Sequence, residues 1–281
     1  MKFSLVQATL GRTGELARFL RELDQQTYRS FELIVVDQNP DQRLAPILAP
    51  YESRFPVFHV RSEKGLSRAR NVGMRQIGGD VVAFPDDDCW YPPHLLEWVR
   101  NLLASHPEWH GIAGRPVSAE GQAVLGQYDS KSGLLTKMNV WRRVNSNTLF
   151  LRRHLVETVG WFDESLGVGA GTPWGSAEDI DFPLRALDQG LTVYYLPDLS
   201  VFHPDDTRGC DLQGRIRKAY SYGLGMGRVL RKHRYPTWFL LYNWTGPLRP
   251  LALALLSGRA AQAKVFWALS AGRVRGWLGW A

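Results

Sequence analysis

The chain of 281 residues is 44% hydrophobic and 22% charged and holds two cysteines, a composition that supports a large core and excludes a disulfide scaffold or a disordered polymer. The net charge of +7 hides a division: residues 1–210 hold 22 Lys and Arg against 26 Asp and Glu, whereas residues 211–281 hold 12 against 1. A net of −4 excludes a basic nucleic-acid-binding body, and a tail at +11 calls for an anionic partner.

Residues 3–8 read as a strand, and Leu16, Phe19, Leu20 and Leu23 follow at helical spacing, with Glu15 favouring the helix start. Leu33, Ile34, Val35 and Val36 form the short apolar run expected of a parallel strand covered on both faces, and the run ends at Asp37. Ser67 is placed to cap a helix whose Ala69, Val72, Gly73 and Ile77 share one face, and Gly78 and Gly79 stop it. Residues 80–84 form the next strand and run into Pro85 and three consecutive acids, Asp86, Asp87 and Asp88. Pro92 and Pro93 open a helix with Leu95, Val99, Leu102 and Leu103 toward the core. Residues 121–144 lack a period and read as an insertion or loop. Beyond them, 147–151 read as a strand, 178–187 as a helix and 191–196 as a strand before His203.

This alternation predicts an α/β, Rossmann-like fold: a mostly parallel central sheet flanked by helices. Asp37 and the three acids then sit beyond the carboxyl ends of strands, the edge where open α/β sheets bind ligands. The most apolar part of the tail, residues 237–258, is broken by Pro247, Arg249 and Pro250 into uncharged runs of 12 and 9 residues, short of the roughly 20 a spanning helix needs. No apolar leader opens the chain, and neither Cys89 nor Cys210 has a metal-finger spacing, so the expected location is the cytosol.

Three adjacent carboxylates repel one another unless a cation or water neutralises them, and hard divalent ions such as Mn²⁺ or Mg²⁺ take oxygen ligands together with substrate phosphates. A solvated turn is the plain alternative, but Phe84 and Pro85 before the acids and Cys89, Trp90 and Tyr91 after them embed the run in apolar residues. Asp37 can accept hydrogen bonds from a nucleobase or ribose, or turn the chain through an Asx motif with Asn39 and Pro40. Arg68 and Arg70, beside Asn71, put guanidinium groups in the first turns of a helix, where a phosphate would compensate their opposition to the helix dipole. Residues 169–177 form a glycine-rich loop that enters a helix through Glu178, Asp179 and Asp181. Adjacent helical positions stand about 100° apart, so only one of Glu178 and Asp179 can serve a given pocket as a base. His203 can ligate a metal.

Val35-Val36-Asp37, residues 65–73, Phe84-Pro85-Asp86-Asp87-Asp88, residues 160–167 and Glu178-Asp179-Ile180-Asp181, in that order, resemble glycosyltransferase family 2 over residues 3 to 205. The resemblance implies a GT-A fold, an inverting mechanism, a nucleotide-sugar donor and Mn²⁺ or Mg²⁺. It implies that Asp37 reads the donor base; Arg68, Arg70 and Asn71, from their place at a helix start, are expected on the donor side together with Asp86 and Asp87. It assigns Asp86 and Asp88 to the DxD motif, Asp179 to the catalytic base and His203 to an extra metal ligand. The additional acid leaves two registers open, since Asp87 can equally be the acid that faces the metal.

The expected organisation is therefore a transferase domain over residues 1–210 and a helical, basic, Trp-rich extension over 211–281. Arg and Lys interleaved with Trp238, Trp244, Trp267, Trp277 and Trp280 suit a segment lying in a membrane interface. The expected partners are a nucleotide-sugar donor, a glycan or lipid-linked acceptor and an anionic membrane surface, and no nucleic acid; the expected place is peripheral, on the inner face of the cytoplasmic membrane. Two rival readings are a sugar nucleotidyltransferase, whose glycine-rich basic loop residues 9–14 match only in part, and a non-catalytic membrane scaffold, against which the retained acids count.

Overall fold

A computed structural model describes residues 1–204 and 211–279; Cys210, the expected domain boundary, and Trp280 lie outside the described residues. In chain order the elements before the tail are β1 (Phe3–Thr9), α1 (Gly14–Leu23), β2 (Phe31–Asp37), α2 (Ala45–Leu48), β3 (Val57–Arg61), α3 (Leu66–Met74), β4 (Val81–Ala83), α4 (Leu95–Ser105), β5 (Gly111–Val117), β6 (Gly133–Leu134), β7 (Leu149–Arg152), α5 (Arg153–Val159), α6 (Glu178–Asp188) and β8 (Val193–Phe202). The tail adds α7 (Leu212–Lys232), α8 (Thr237–Thr245), α9 (Leu248–Leu256) and α10 (Ala260–Leu278). The described chain forms two compact units, one of residues 1–64, 68–162 and 182–204, the other of residues 65–67, 163–181 and 211–279.

The first unit is built on one eight-stranded sheet in the order β3-β2-β1-β4-β7-β5-β8-β6. Its first four strands are parallel, β5 and β8 are parallel, and β7 and the edge strand β6 run against their neighbours. Every residue of β1 and β2 is buried, and Leu16, Phe19, Leu20 and Leu23 of α1 enter the same core. Thr9 and Asp37 pair at the carboxyl ends of β1 and β2, and β4 ends on the same edge just before Asp86.

Several local expectations change. Ser67 lies inside α3, where its hydroxyl donates to the Leu166 carbonyl (2.7 Å) instead of capping the helix. The helix expected from Pro92 begins at Leu95. The aperiodic stretch 121–144 contributes β6 to the sheet edge. β5 escapes pattern reading because Gly-Ile-Ala-Gly-Arg-Pro-Val mixes two glycines, an arginine and a proline. Gly114 is needed there, because a Cβ would strike the Leu199 carbonyl where the β5–β8 register shifts.

In the second unit, Asp211 caps α7 by accepting from the Gly214 N–H (2.8 Å). Gly223 of α7 meets Gly272 of α10, and a Cβ at Gly223, Gly227, Gly272 or Gly276 would run into the backbone of the facing helix. Trp244 and Trp277 meet edge to face at 5.4 Å. Trp238 and Trp267 are more than half exposed, together with Leu241, Tyr242, Leu253, Leu255 and Leu256. Among the described residues no helix is long and apolar enough to cross a membrane.

Candidate active site

In the first unit, the chain just past β4 is zipped to the end of β8. Trp90 and Phe202 exchange backbone hydrogen bonds (2.9 and 3.0 Å) and stack their rings at 5.3 Å. This pairing sets His203 beside the acids. Asp86, Asp88 and His203 each offer one ligand atom, and the three atoms lie within 4.8 Å of one another. His203 Nδ1 donates to the Pro204 carbonyl (2.7 Å), and its Nε2 lies 3.0 Å from Asp88 Oδ1.

Asp87 faces elsewhere, accepting from the Thr9 hydroxyl (2.7 Å) and from Arg12 Nη1 (2.7 Å). The same Arg12 nitrogen pairs with Asp88 Oδ2. Asp86 is approached by Arg70 Nη2 (3.4 Å) and by Asn147 Nδ2 (3.2 Å). Burial raises the Asp86 carboxyl to about 6 against the pull of Arg70. Burial also opposes ionisation of Asp88, but hydrogen bonding to His203 and the charge of Arg12 prevail and lower it. For His203 burial disfavours the cation, and Asp88 more than offsets this and raises the ring.

The donor set fits a divalent cation. Two carboxylates supply hard oxygens, one imidazole a nitrogen, and the amide beside Asp86 carries Asn147 Oδ1, a buried oxygen with no hydrogen-bond partner among the described residues.

Asp37 is fully buried at the end of β2. Its Oδ1 accepts from the backbone N–H and the side-chain amide of Asn39 (2.8 and 2.7 Å), which is the Asx turn, and its Oδ2 meets His59 Nε2 (3.0 Å) and Arg61. Burial would raise this carboxyl, and these partners together hold it below its ordinary value. Arg70 is 2% exposed and donates to the Ser146 hydroxyl (2.8 Å), so it braces Asp86 from inside. The Asn71 amide pairs with both backbone groups of Phe162 (3.0 and 2.8 Å), and Arg68 pairs with Glu63 at the surface.

Glu178, Asp179 and Asp181 belong to the second unit. Glu178 is buried, with its carboxylate against Gly167, where a Cβ would stand only 3.0 Å from Oε2. Asp179 is partly exposed at the start of α6. Asp181 is fully buried, its Oδ1 held by Lys232 Nζ (2.8 Å) and His233 Nε2 (2.9 Å) from the end of α7. The glycine-rich loop lies on the same helix: the Ser176 hydroxyl donates to the Tyr222 carbonyl (2.9 Å), and Arg228 covers the Trp174 ring at 4.4 Å.

Residue patterns missed Thr9, Arg12, His59, Arg61, Asn147, Lys232 and His233. Each reaches its carboxylate from a different element, so no local spacing announces it.

Comparison with known proteins places these features. Residues 4–154 match the family model described as glycosyl transferase family 2. An uncharacterized glycosyltransferase of Bacillus subtilis, YwdF, is 27% identical over 250 residues, covering 83% of this chain and 84% of its own length. Among solved structures, the mannosyltransferase PcManGT from Pyrobaculum calidifontis, in complex with GDP-Man and Mn²⁺, has a TM-score of 0.68 at 17% identity, covering 98% of this chain and 86% of the neighbour. S. aureus TarS 1-349 in complex with UDP-GlcNAc has a TM-score of 0.61 at 18% identity, covering 99% and 92%. These two structures bear out the GT-A architecture expected from the sequence.

Proposed function

This chain belongs to glycosyl transferase family 2, and we propose that it moves a sugar, with inversion, from a nucleoside-diphosphate donor to a hydroxyl of a glycan or lipid-linked acceptor. The observation that carries the reading is the convergence of Asp86, Asp88 and His203. An imidazole beside two carboxylates suits Mn²⁺ better than Mg²⁺. When bound, the ion supplies Lewis acidity to the departing diphosphate. The structural neighbours bound to GDP-Man with Mn²⁺ and to UDP-GlcNAc support a donor of this class.

The chain's own groups divide the work. Asp86 and Asp88 bind through oxygen and His203 through Nε2, while Arg70 and Asn147 orient Asp86. Asp37 keeps Asn39 and Arg61 in place at the base side, and Arg68 offers charge to the donor phosphates. Asp179 takes the proton from the acceptor hydroxyl as its oxygen attacks the anomeric carbon. Glu178, packed on Gly167, shapes the loop that leads to it.

Residues 1–210 would then form the catalytic domain and 211–281 a peripheral membrane element. The exposed aromatic and leucine side chains of α8 to α10, amid a tail charge of +11, support contact with an anionic surface on the cytoplasmic side.

The test is a panel of nucleotide sugars given to the purified full chain with Mn²⁺ and simple acceptors, with the product anomer read by NMR. One donor should be consumed and its anomeric configuration inverted. Retention, or no binding of any nucleotide sugar with Mn²⁺ present, overturns the reading.

A further inference from the structure

Three basic side chains stand against the three consecutive carboxylates, and they differ in exposure. Arg70 is 2% exposed and tied to Ser146, and His203 is 4% exposed and tied to Pro204. The Arg12 side chain is 39% exposed and hangs from the short loop between β1 and α1. That loop is fixed one residue earlier. The Gly11 N–H donates to Asn39 Oδ1 (2.7 Å), and Gly11 takes a φ of +77°, a left-handed conformation that favours glycine. The backbone is anchored at Gly11, and the long Arg12 side chain provides the reach.

A single nitrogen of Arg12 bridges Asp87 Oδ1 and Asp88 Oδ2. Asp88 therefore divides its two oxygens between His203 and Arg12, and Asp88 is also a member of the three-residue donor set. A divalent ion on Asp88 and a guanidinium on the same carboxylate repel each other.

We propose that Arg12 is an exchangeable counter-cation. It neutralises Asp87 and Asp88, competes with the divalent ion for Asp88, and on displacement pairs with the diphosphate of the donor. The inference rests on the metal-assisted reading above and adds a donor-binding residue to it. The planar fork of a guanidinium matches phosphate oxygens as well as it matches carboxylates, so the side chain can exchange one anionic partner for another. Metal and donor would then bind in concert, because each relieves a cost that the other meets alone.

The test is Mn²⁺ binding by electron paramagnetic resonance, first without nucleotide and then with UDP and GDP, on wild type, Arg12→Ala and Arg12→Lys, with circular dichroism and melting to establish that each is folded. Arg12→Ala should bind Mn²⁺ alone roughly fivefold more tightly, the scale of losing one partly exposed competing charge pair. The same variant, saturated with Mn²⁺, should bind the preferred diphosphate about tenfold more weakly. Arg12→Lys keeps the charge without the fork, so its Mn²⁺ affinity should stay near wild type while diphosphate binding weakens. Unchanged or weaker Mn²⁺ binding in Arg12→Ala overturns the competition, and unchanged diphosphate binding overturns the exchange. If neither wild type nor Arg12→Ala binds Mn²⁺ with or without nucleotide, the metal reading fails and the inference with it. Equal binding by the two proteins defeats the inference alone.

Discussion

Glu178 and Asp179 are neighbours in sequence and opposites in surroundings: one is buried on Gly167, the other partly open at the first turn of α6. Asp179→Asn should keep nucleotide binding and lose about a hundredfold or more in transfer rate, as expected for removal of a general base. Glu178→Gln should lower activity less and reduce stability; single-turnover rates and melting curves separate the two effects, and the reverse pattern would exchange the roles. Glu32 gives a pH-dependent case. Burial raises its carboxyl, but Lys2, Ser4 and the Gly78 N–H prevail and lower it from 4.5. A folded value below the unfolded one gives stability that is complete above about pH 4.5 and is lost as pH falls through the lower folded value. Glu32→Gln should therefore be less stable by about 1–3 kcal/mol at pH 7, and the gap should narrow on acidification below pH 4.5, as urea midpoints would show. The three acids were legible as a candidate site because they are consecutive and sit between apolar residues. Their register was not, since Thr9 and Arg12 draw Asp87 aside only once β1 and β4 lie side by side.

At the scale of elements, the βα alternation of the first 90 residues was readable because each period is local: α1 buries the four residues its spacing marks, and β2 is buried throughout. β5 and β6 were not readable, because their places depend on long-range pairing with β7 and β8. The tail shows the same contrast. Basic residues and tryptophans point to an interface, yet the glycines at four-residue spacing in α7 and α10 report a close helix pair. Gly227→Ala gains up to about 1 kcal/mol of helix propensity, but its methyl meets the Arg273 and Trp277 backbone. A net loss of about 1–3 kcal/mol is expected from overpacking, measurable by denaturant unfolding of the full chain; a stabilised variant would mean that α7 and α10 do not approach so closely. Because Lys232 at the end of α7 and His233 just past it hold the buried Asp181, loosening the helix pair should lower transfer more than nucleotide binding.

Over the whole molecule, charge is partitioned as function is proposed to be: −4 over residues 1–210 and +11 beyond. With about 1 kcal/mol from each basic residue near an anionic surface, the tail should bind vesicles containing phosphatidylglycerol firmly at low salt and release them as the ionic strength rises. Sedimentation of the full chain with such vesicles checks this, with neutral vesicles as the control; equal binding to both would assign the attachment to the exposed Trp and Leu side chains alone. The proposed roles all depend on Asp86, Asp88 and His203 forming a metal-dependent donor site in this family 2 glycosyltransferase. The most direct measurement of that dependence is release of nucleoside diphosphate from the preferred nucleotide sugar by wild type and Asp88→Asn, each with Mn²⁺ and with EDTA. Turnover is expected only in wild type with Mn²⁺, with losses of about a hundredfold or more in the other three conditions. Equal turnover in EDTA, or in Asp88→Asn with Mn²⁺, would contradict that expectation.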